Sequence, residues 1–208
     1  MARTYLGPAA TGTLRLLVGL AGLAGVIAGP LYAVNGATQA RAAVEVPAEL
    51  ARSGVASVPG LPDGVRVTAV EAGSRVQLSA WHSTVAEQLL ARGDVAVLGV
   101  ALGVGAWLLR PVLAALAAGR PATAGNARRV AWLAVVVVVA GAVGPLLPQL
   151  GAVAVLDRLG LAAPGGPFTV GVHLSLLTPL LAGLLLLVLA EVLRQGARSP
   201  RDPVPSAP

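Results

Sequence analysis

Residues 130–156 read VAWLAVVVVVAGAVGPLLPQLGAVAVL, 27 consecutive positions without a charged side chain. A bilayer core about 30 Å thick is crossed by about 20 residues of helix rising about 1.5 Å each, so this run suffices for one span with residues to spare. Working outward, residues 16–40 and 159–190 are also uncharged, and residues 95–109 are uncharged for fifteen positions. That shorter run must continue past Arg110 toward Ala118, because an arginine stem can lie in lipid while its head reaches the headgroups. Asp94 then stands at the helix start as an N-cap. The expected spans are about 14–35, 94–118, 129–148 and 169–194. The fold class is an all-α integral membrane protein, a four-helix bundle with a small extracytoplasmic insertion.

Composition agrees with the spans. Of 208 residues, 56% are hydrophobic and 12% charged, against about 25% charged in a soluble domain, which excludes an ordinary cytosolic enzyme. All 15 basic residues are arginine, a skew that marks a GC-rich and hence bacterial coding sequence. There is no cysteine, so disulfides, thiolate nucleophiles and cysteine metal sites are excluded.

Arginine placement gives the orientation. Arg3, Arg15, Arg110, Arg120, Arg128, Arg129, Arg194, Arg198 and Arg201 fall on one side of the spans with two acids, Glu191 and Asp202, whereas the other side carries six arginines and seven acids. Both termini are therefore expected in the cytoplasm of a bacterial plasma-membrane protein. The net charge of +6 follows from this asymmetry, and no aromatic platform or recognition helix accompanies it, so direct nucleic-acid binding is not expected. The first apolar stretch exceeds the 7 to 15 residues, roughly, of a signal-peptide core, which favours an uncleaved span.

Residues 41–93 form the insertion. Pro47, Pro59 and Pro62 with several glycines make residues 42–64 read as loop, with one short helical turn around Glu45 to Arg52. Val65, Val67 and Ala69, then Val76, Leu78 and Ala80, alternate with polar residues about Gly73-Ser74, a hairpin pattern. Thr84 and Glu87 have capping-box spacing ahead of a short helix over Val85 to Ala91. On the other side, Gly119 before Arg120-Pro121 is a helix stop, and Gly196 repeats it after the last span. Residues 197–208, rich in proline, are expected to be disordered.

Catalytic signatures are missing: no H-E-x-x-H, no G-x-S-x-G and no phosphate-binding glycine loop. His82 and His173 are isolated imidazoles and read as interfacial residues rather than a metal site. No ionisable group falls at mid-span. Pro179 with Gly183, and Gly29-Pro30, offer kinks that either help helices pack or open backbone to a ligand. Small residues four apart (Ala21, Gly25, Gly29; Gly99, Gly103; Ala140, Gly144) allow close helix approach, within the chain or in a homo-oligomer.

Gly119-Arg120-Pro121-Ala122-Thr123-Ala124-Gly125-Asn126-Ala127-Arg128-Arg129 resembles the inner-loop signature of a bacterial membrane family designated domain of unknown function 2975: glycine, any residue, proline, phenylalanine, serine or threonine, two residues, asparagine, two residues, arginine. Leu189-Ala190-Glu191-Val192-Leu193-Arg194-Gln195-Gly196 is similar to that family's second signature, at the end of the last span. The resemblance covers nearly the whole chain in span order and length. Ala122 and Leu193 stand where the family has phenylalanines, and the proline-rich tail replaces an acidic ending. Members are often encoded beside a small helix-turn-helix regulator, so the resemblance implies a membrane component of a regulatory pair.

The charged constellation singled out is Glu191 with Arg110, Arg128 and Arg129, in which one carboxylate and one guanidinium pin the last span to the inner loop. Asn126 is expected to cap the third span. With Pro121, Arg194 and Gly196 these residues form a candidate partner-docking surface or structural clasp. No catalytic residue, metal or cofactor is expected. The function expected is a non-enzymatic sensor or regulatory partner of a cytoplasmic helix-turn-helix regulator; the alternative is a small transporter or export accessory subunit.

Overall fold

The computed structural model describes residues 7–51, 61–69, 75–162, 166–169 and 175–198. In chain order these form α1 (Pro8–Thr38), β1 (Val44–Leu50), β2 (Val65–Ala69), β3 (Arg75–Ala80), α2 (Val85–Ala91), α3 (Gly93–Ala117), α4 (Ala124–Arg158), β4 (Phe168–Thr169) and α5 (Leu177–Arg198). Among the described residues four helices, α1, α3, α4 and α5, are long and apolar enough to cross a membrane. The protein is mostly helical, but it also has a curled four-strand sheet.

The four long helices pack side by side in chain order. α1 packs on α3, α3 on α4 and α4 on α5, while α1 and α5 stand at opposite edges. Small residues make the seams. A Cβ on Gly99 would collide with the Gly25 carbonyl and lie 2.9 Å from the Gly29 Cα, and one on Gly103 would collide with Val26. Gly183 is closed in the same way by Val138, and Gly141 by Pro179. The small-residue stripes of the first two spans are thus used within the chain. Leu184, Leu185, Val188 and Val192 of α5 are exposed, as suits side chains that meet lipid.

α3 continues through Arg110 and Pro111 to Ala117, as anticipated from its short uncharged run. Its start differs from expectation: Arg92 is the N-cap, and Asp94 lies inside the first turn, where its carboxylate accepts the Val95 amide at 2.8 Å. α5 begins at Leu177 rather than near residue 169, because Phe168 and Thr169 pair with β1 as a strand. Pro179 therefore occupies the first turn of α5, where its missing N–H breaks no helical bond, and does not kink the span. Residues 197 and 198 are helical, residues 199–208 of the expected tail lie outside the described residues, and so does His173.

The sheet order is β2-β3-β1-β4, antiparallel throughout. The β2–β3 hairpin falls where alternation put it, but Val44–Leu50 is a strand and not the loop with a helical turn expected there. Val44, Val46 and Ala48 alternate with Glu45, Pro47 and Glu49, and that period of two governs once one face has a core to cover. Pro47 is tolerated because β4 pairs only with Glu49 and Leu50, leaving the edge beside Pro47 without a strand.

What the sheet covers is the end of α4. At 35 residues and about 1.5 Å each this helix is about 52 Å long, well beyond a bilayer core. Its last turns supply Ala152, Val155 and Leu156 to a core with Val46, Leu78 and Phe168. The third span was expected to end near residue 148 because an uncharged run carries no mark where lipid gives way to protein interior; the helix runs on for ten residues.

Candidate functional site

The candidate residues lie at the end of the row remote from the sheet. α3 stops there as the glycine signal indicates: Gly119 has φ 67°, and the Arg120 amide donates to the Ala115 carbonyl at 2.9 Å, closing the last turn. The chain then turns over Pro121 into α4.

Asn126 does not cap α4. Thr123 does, its hydroxyl accepting the Asn126 amide at 3.1 Å. Asn126 is the third residue of the helix, 1% exposed, and its side chain faces back. Its Nδ2 donates to the Pro121 carbonyl at 3.0 Å, and its Oδ1 accepts from Arg129 Nη1 at 3.3 Å. The Thr123 amide donates to the same Pro121 carbonyl at 3.1 Å. Pro121, Thr123, Asn126 and Arg129 therefore form one small clasp that fixes the loop on the first turn of α4. Threonine wins the cap because it immediately precedes the helix with extended backbone, as a cap requires.

Glu191 takes no part in that clasp. Its carboxylate pairs with Arg194 at 2.8 Å and accepts from Gln195 at 3.0 Å, both on its own helix. The expected pinning of the last span by Glu191 to Arg110, Arg128 or Arg129 is thus replaced by intrahelical bonds at the i,i+3 and i,i+4 spacing, which need no loop to be ordered. Gly196 is not a helix stop, since α5 runs on to Arg198. It is instead where α5 meets the loop: a Cβ there would lie 3.1 Å from the Ala122 Cβ. Arg110 is remote from the others, its guanidinium passing 3.5 Å from where a Gly19 Cβ would stand, on α1. Arg128 is exposed and lines the groove between α4 and α5 together with Glu191 and Arg194.

The sheet end holds a second polar cluster. Thr84 and Glu87 form the anticipated capping box, with the Thr84 amide donating to Glu87 Oε2 at 2.9 Å and the Glu87 amide to Thr84 Oγ1 at 3.2 Å. Glu87 Oε1 also accepts from Arg158 Nε at 2.7 Å, and Glu87 is 3% exposed. Beside it the buried Gln88 donates to Ser83 Oγ at 2.7 Å and to the Ala43 carbonyl at 3.2 Å. Sequence reasoning missed the Arg158 and Gln88 contacts, which join residues far apart in the chain. The capping box was the one signal that Glu87 is fixed. Among the described residues no group of three histidines or carboxylates could hold a metal, and His82 lies in a turn with φ 59°.

Comparison with protein-family models, with curated proteins and with solved structures returns no match.

Proposed function

We propose that the chain is a non-enzymatic sensor in a bacterial plasma membrane, with the sheet and α2 outside the cell, both termini inside, and the loop over residues 119–129 presented to a cytoplasmic helix-turn-helix regulator. One observation carries this reading. α4 is a single helix whose last turns lie in the sheet's core and whose first turn holds the Pro121–Asn126–Arg129 clasp. A shift or rotation of the sheet against the bilayer is passed to the loop along that one helix, which runs through Pro145 and Pro148, because the Glu87–Arg158 bond and the apolar core fix one end and the clasp fixes the other. The arginine asymmetry supports the orientation, and the likeness of the two inner motifs to the family named above supports the partner.

Asn126 is buried, so a crosslinking probe belongs on the exposed neighbours Arg120 or Gly125. With a photo-reactive residue at Arg120 in intact cells, the expected product is one cytoplasmic regulator, captured in a yield that changes when Arg158 is replaced by Gln. Capture of lipid and copies of the same chain alone counts against the reading and moves the transporter or export-accessory alternative ahead.

A further inference from the structure

α4 and α5 enclose between them a groove in two adjoining parts. Toward the clasp, a cavity of about 480 Å³ is lined by Arg128 of α4 and by Glu191, Arg194 and Arg198 of α5, over a floor of alanines. Away from it, a second cavity of about 400 Å³ is lined by Val135, Val138 and Val139 of α4 with Leu180, Gly183 and Leu184 of α5. Leu187 borders both, so they form one slot. Helical period explains the continuity: 180, 184, 187, 191, 194 and 198 fall on one face of α5, and 128, 131, 135 and 139 on one face of α4.

The slot is amphipathic along its length. Its charged end carries three guanidinium groups and one carboxylate, a formal charge of +2. Glu191 is engaged with Arg194 and Gln195, whereas Arg128 has no hydrogen bond or ion pair among the described residues. Its apolar end offers only aliphatic side chains, and Gly183 lets the two backbones approach where the slot narrows. From Leu187 to Leu180 is seven residues, about 10 Å of helix, which lies within one leaflet of a core about 30 Å thick. Exposed arginines alone bind nothing selectively. Here the apolar slot starts where the charges end, in the same order as the parts of a phospholipid.

We propose that the α4–α5 groove binds one anionic phospholipid, its phosphate held by Arg128 and Arg198 and one acyl chain lying along Val135, Val139 and Leu184. Basic pockets between membrane helices recognise such headgroups by charge and by bidentate guanidinium bonds. The proposal is independent of any cytoplasmic regulator and holds or fails on the purified chain.

The test is native mass spectrometry of the full chain in an uncharged detergent, titrated separately with dioleoyl phosphatidylglycerol, dioleoyl phosphatidylcholine and inorganic phosphate. The expected result is one phosphatidylglycerol retained about tenfold more tightly than phosphatidylcholine. That preference is lost in R128Q/R198Q, largely kept in R128K/R198K, and unchanged in R15Q, which removes an exposed arginine of α1. Val135→Trp, which fills the slot without altering charge, weakens both lipids. Unchanged helical circular dichroism and melting of each variant separate loss of binding from loss of fold. Equal retention of the two lipids, a preference that survives R128Q/R198Q, displacement of the lipid by inorganic phosphate, or a dimer that excludes lipid from the groove would each overturn it.

Discussion

Glu87 and Arg158, 71 positions apart in the chain, meet at 2.7 Å, while the other carboxylate oxygen of Glu87 accepts the Thr84 amide at 2.9 Å. One side chain thus starts α2 and ties it to the last turn of α4. Glu87 is 3% exposed and the Arg158 side chain 28%, so water screens only one partner.

Substituting Glu87 separates these two roles. Glutamine can still reach back to the cap, so Glu87→Gln removes the charge and keeps the capping box. Breaking a fully buried pair costs about 3 to 5 kcal/mol; with Arg158 partly hydrated, a loss of about 1 to 3 kcal/mol is expected. Glu87→Ala adds about 1 kcal/mol for the cap. Denaturant unfolding of the purified chain reads both differences, and a Glu87→Gln midpoint equal to wild type would show that the pair contributes nothing.

The glycines of α3 differ in what a methyl would meet, Gly99 facing α1 and Gly105 facing α4. At Gly99 it would strike the Gly25 backbone, whereas at Gly105 it would meet the Leu133 side chain at 3.6 Å, an ordinary contact. Gly99→Ala is therefore expected to lower stability by about 1 to 3 kcal/mol, the range for overpacking, because backbone cannot swing aside. Gly105→Ala should be neutral or slightly stabilising. Melting in detergent compares the two, and equal tolerance would mean that α1 and α3 are not in close contact.

The four long apolar helices were legible because charge-free length is a property of the run itself. The β2–β3 hairpin and α2 were legible for the same kind of reason, with alternation or a capping pair written within a few residues. β1 was obscured by Pro47, whose meaning depends on which edge lacks a neighbour, and β4 by being two residues long. The site was legible only in part. Sequence placed Glu191 and the arginines at one depth but could not choose among partners, and Glu191 found Arg194 on its own helix. Asn126 and Thr123 are both good caps, and only the path of the loop over Pro121 decides between them.

Arg41 and His82 hold left-handed backbone conformations, φ 79° and 59°, where α1 passes into β1 and β3 into α2. They face one another: the His82 amide donates to the Arg41 carbonyl at 3.2 Å. A side chain in this conformation costs about 1 kcal/mol that glycine does not pay. His82→Gly is expected to be neutral or stabilising by up to about 1 kcal/mol in thermal unfolding, since the turn geometry is already set. A large destabilisation would show that the imidazole itself has a structural partner.

The orientation can be checked directly because the chain has no cysteine to confuse labelling. Asp63 and Arg120 are both exposed, the first beside β2 and the second after α3. In intact cells a membrane-impermeant maleimide should label Asp63→Cys and spare Arg120→Cys until the membrane is opened. The reverse pattern would invert the proposed topology and place the sheet in the cytoplasm.

Asn126 offers the sharpest test of the clasp, because its amide both donates to the Pro121 carbonyl and accepts from Arg129. Asn126→Ala removes both bonds while the Pro121 carbonyl keeps the Thr123 amide, and the loss of two hydrogen bonds costs about 1 to 3 kcal/mol. Asn126→Asp keeps the acceptor for Arg129, but an ionised carboxylate has no proton to give Pro121, so oxygen faces oxygen and the loop must move. Aspartate should therefore destabilise the loop at least as much as alanine, despite its better charge match to Arg129. In neither variant should α4 lose its first turn, because Thr123 is the cap; Thr123→Ala should fray it at about 1 kcal/mol. Hydrogen exchange over residues 118–128 distinguishes the cases: faster exchange in residues 118–122 for the Asn126 variants, and in residues 124–127 for Thr123→Ala. Fraying of α4 in Asn126→Ala would return the capping role to Asn126 and dissolve the clasp.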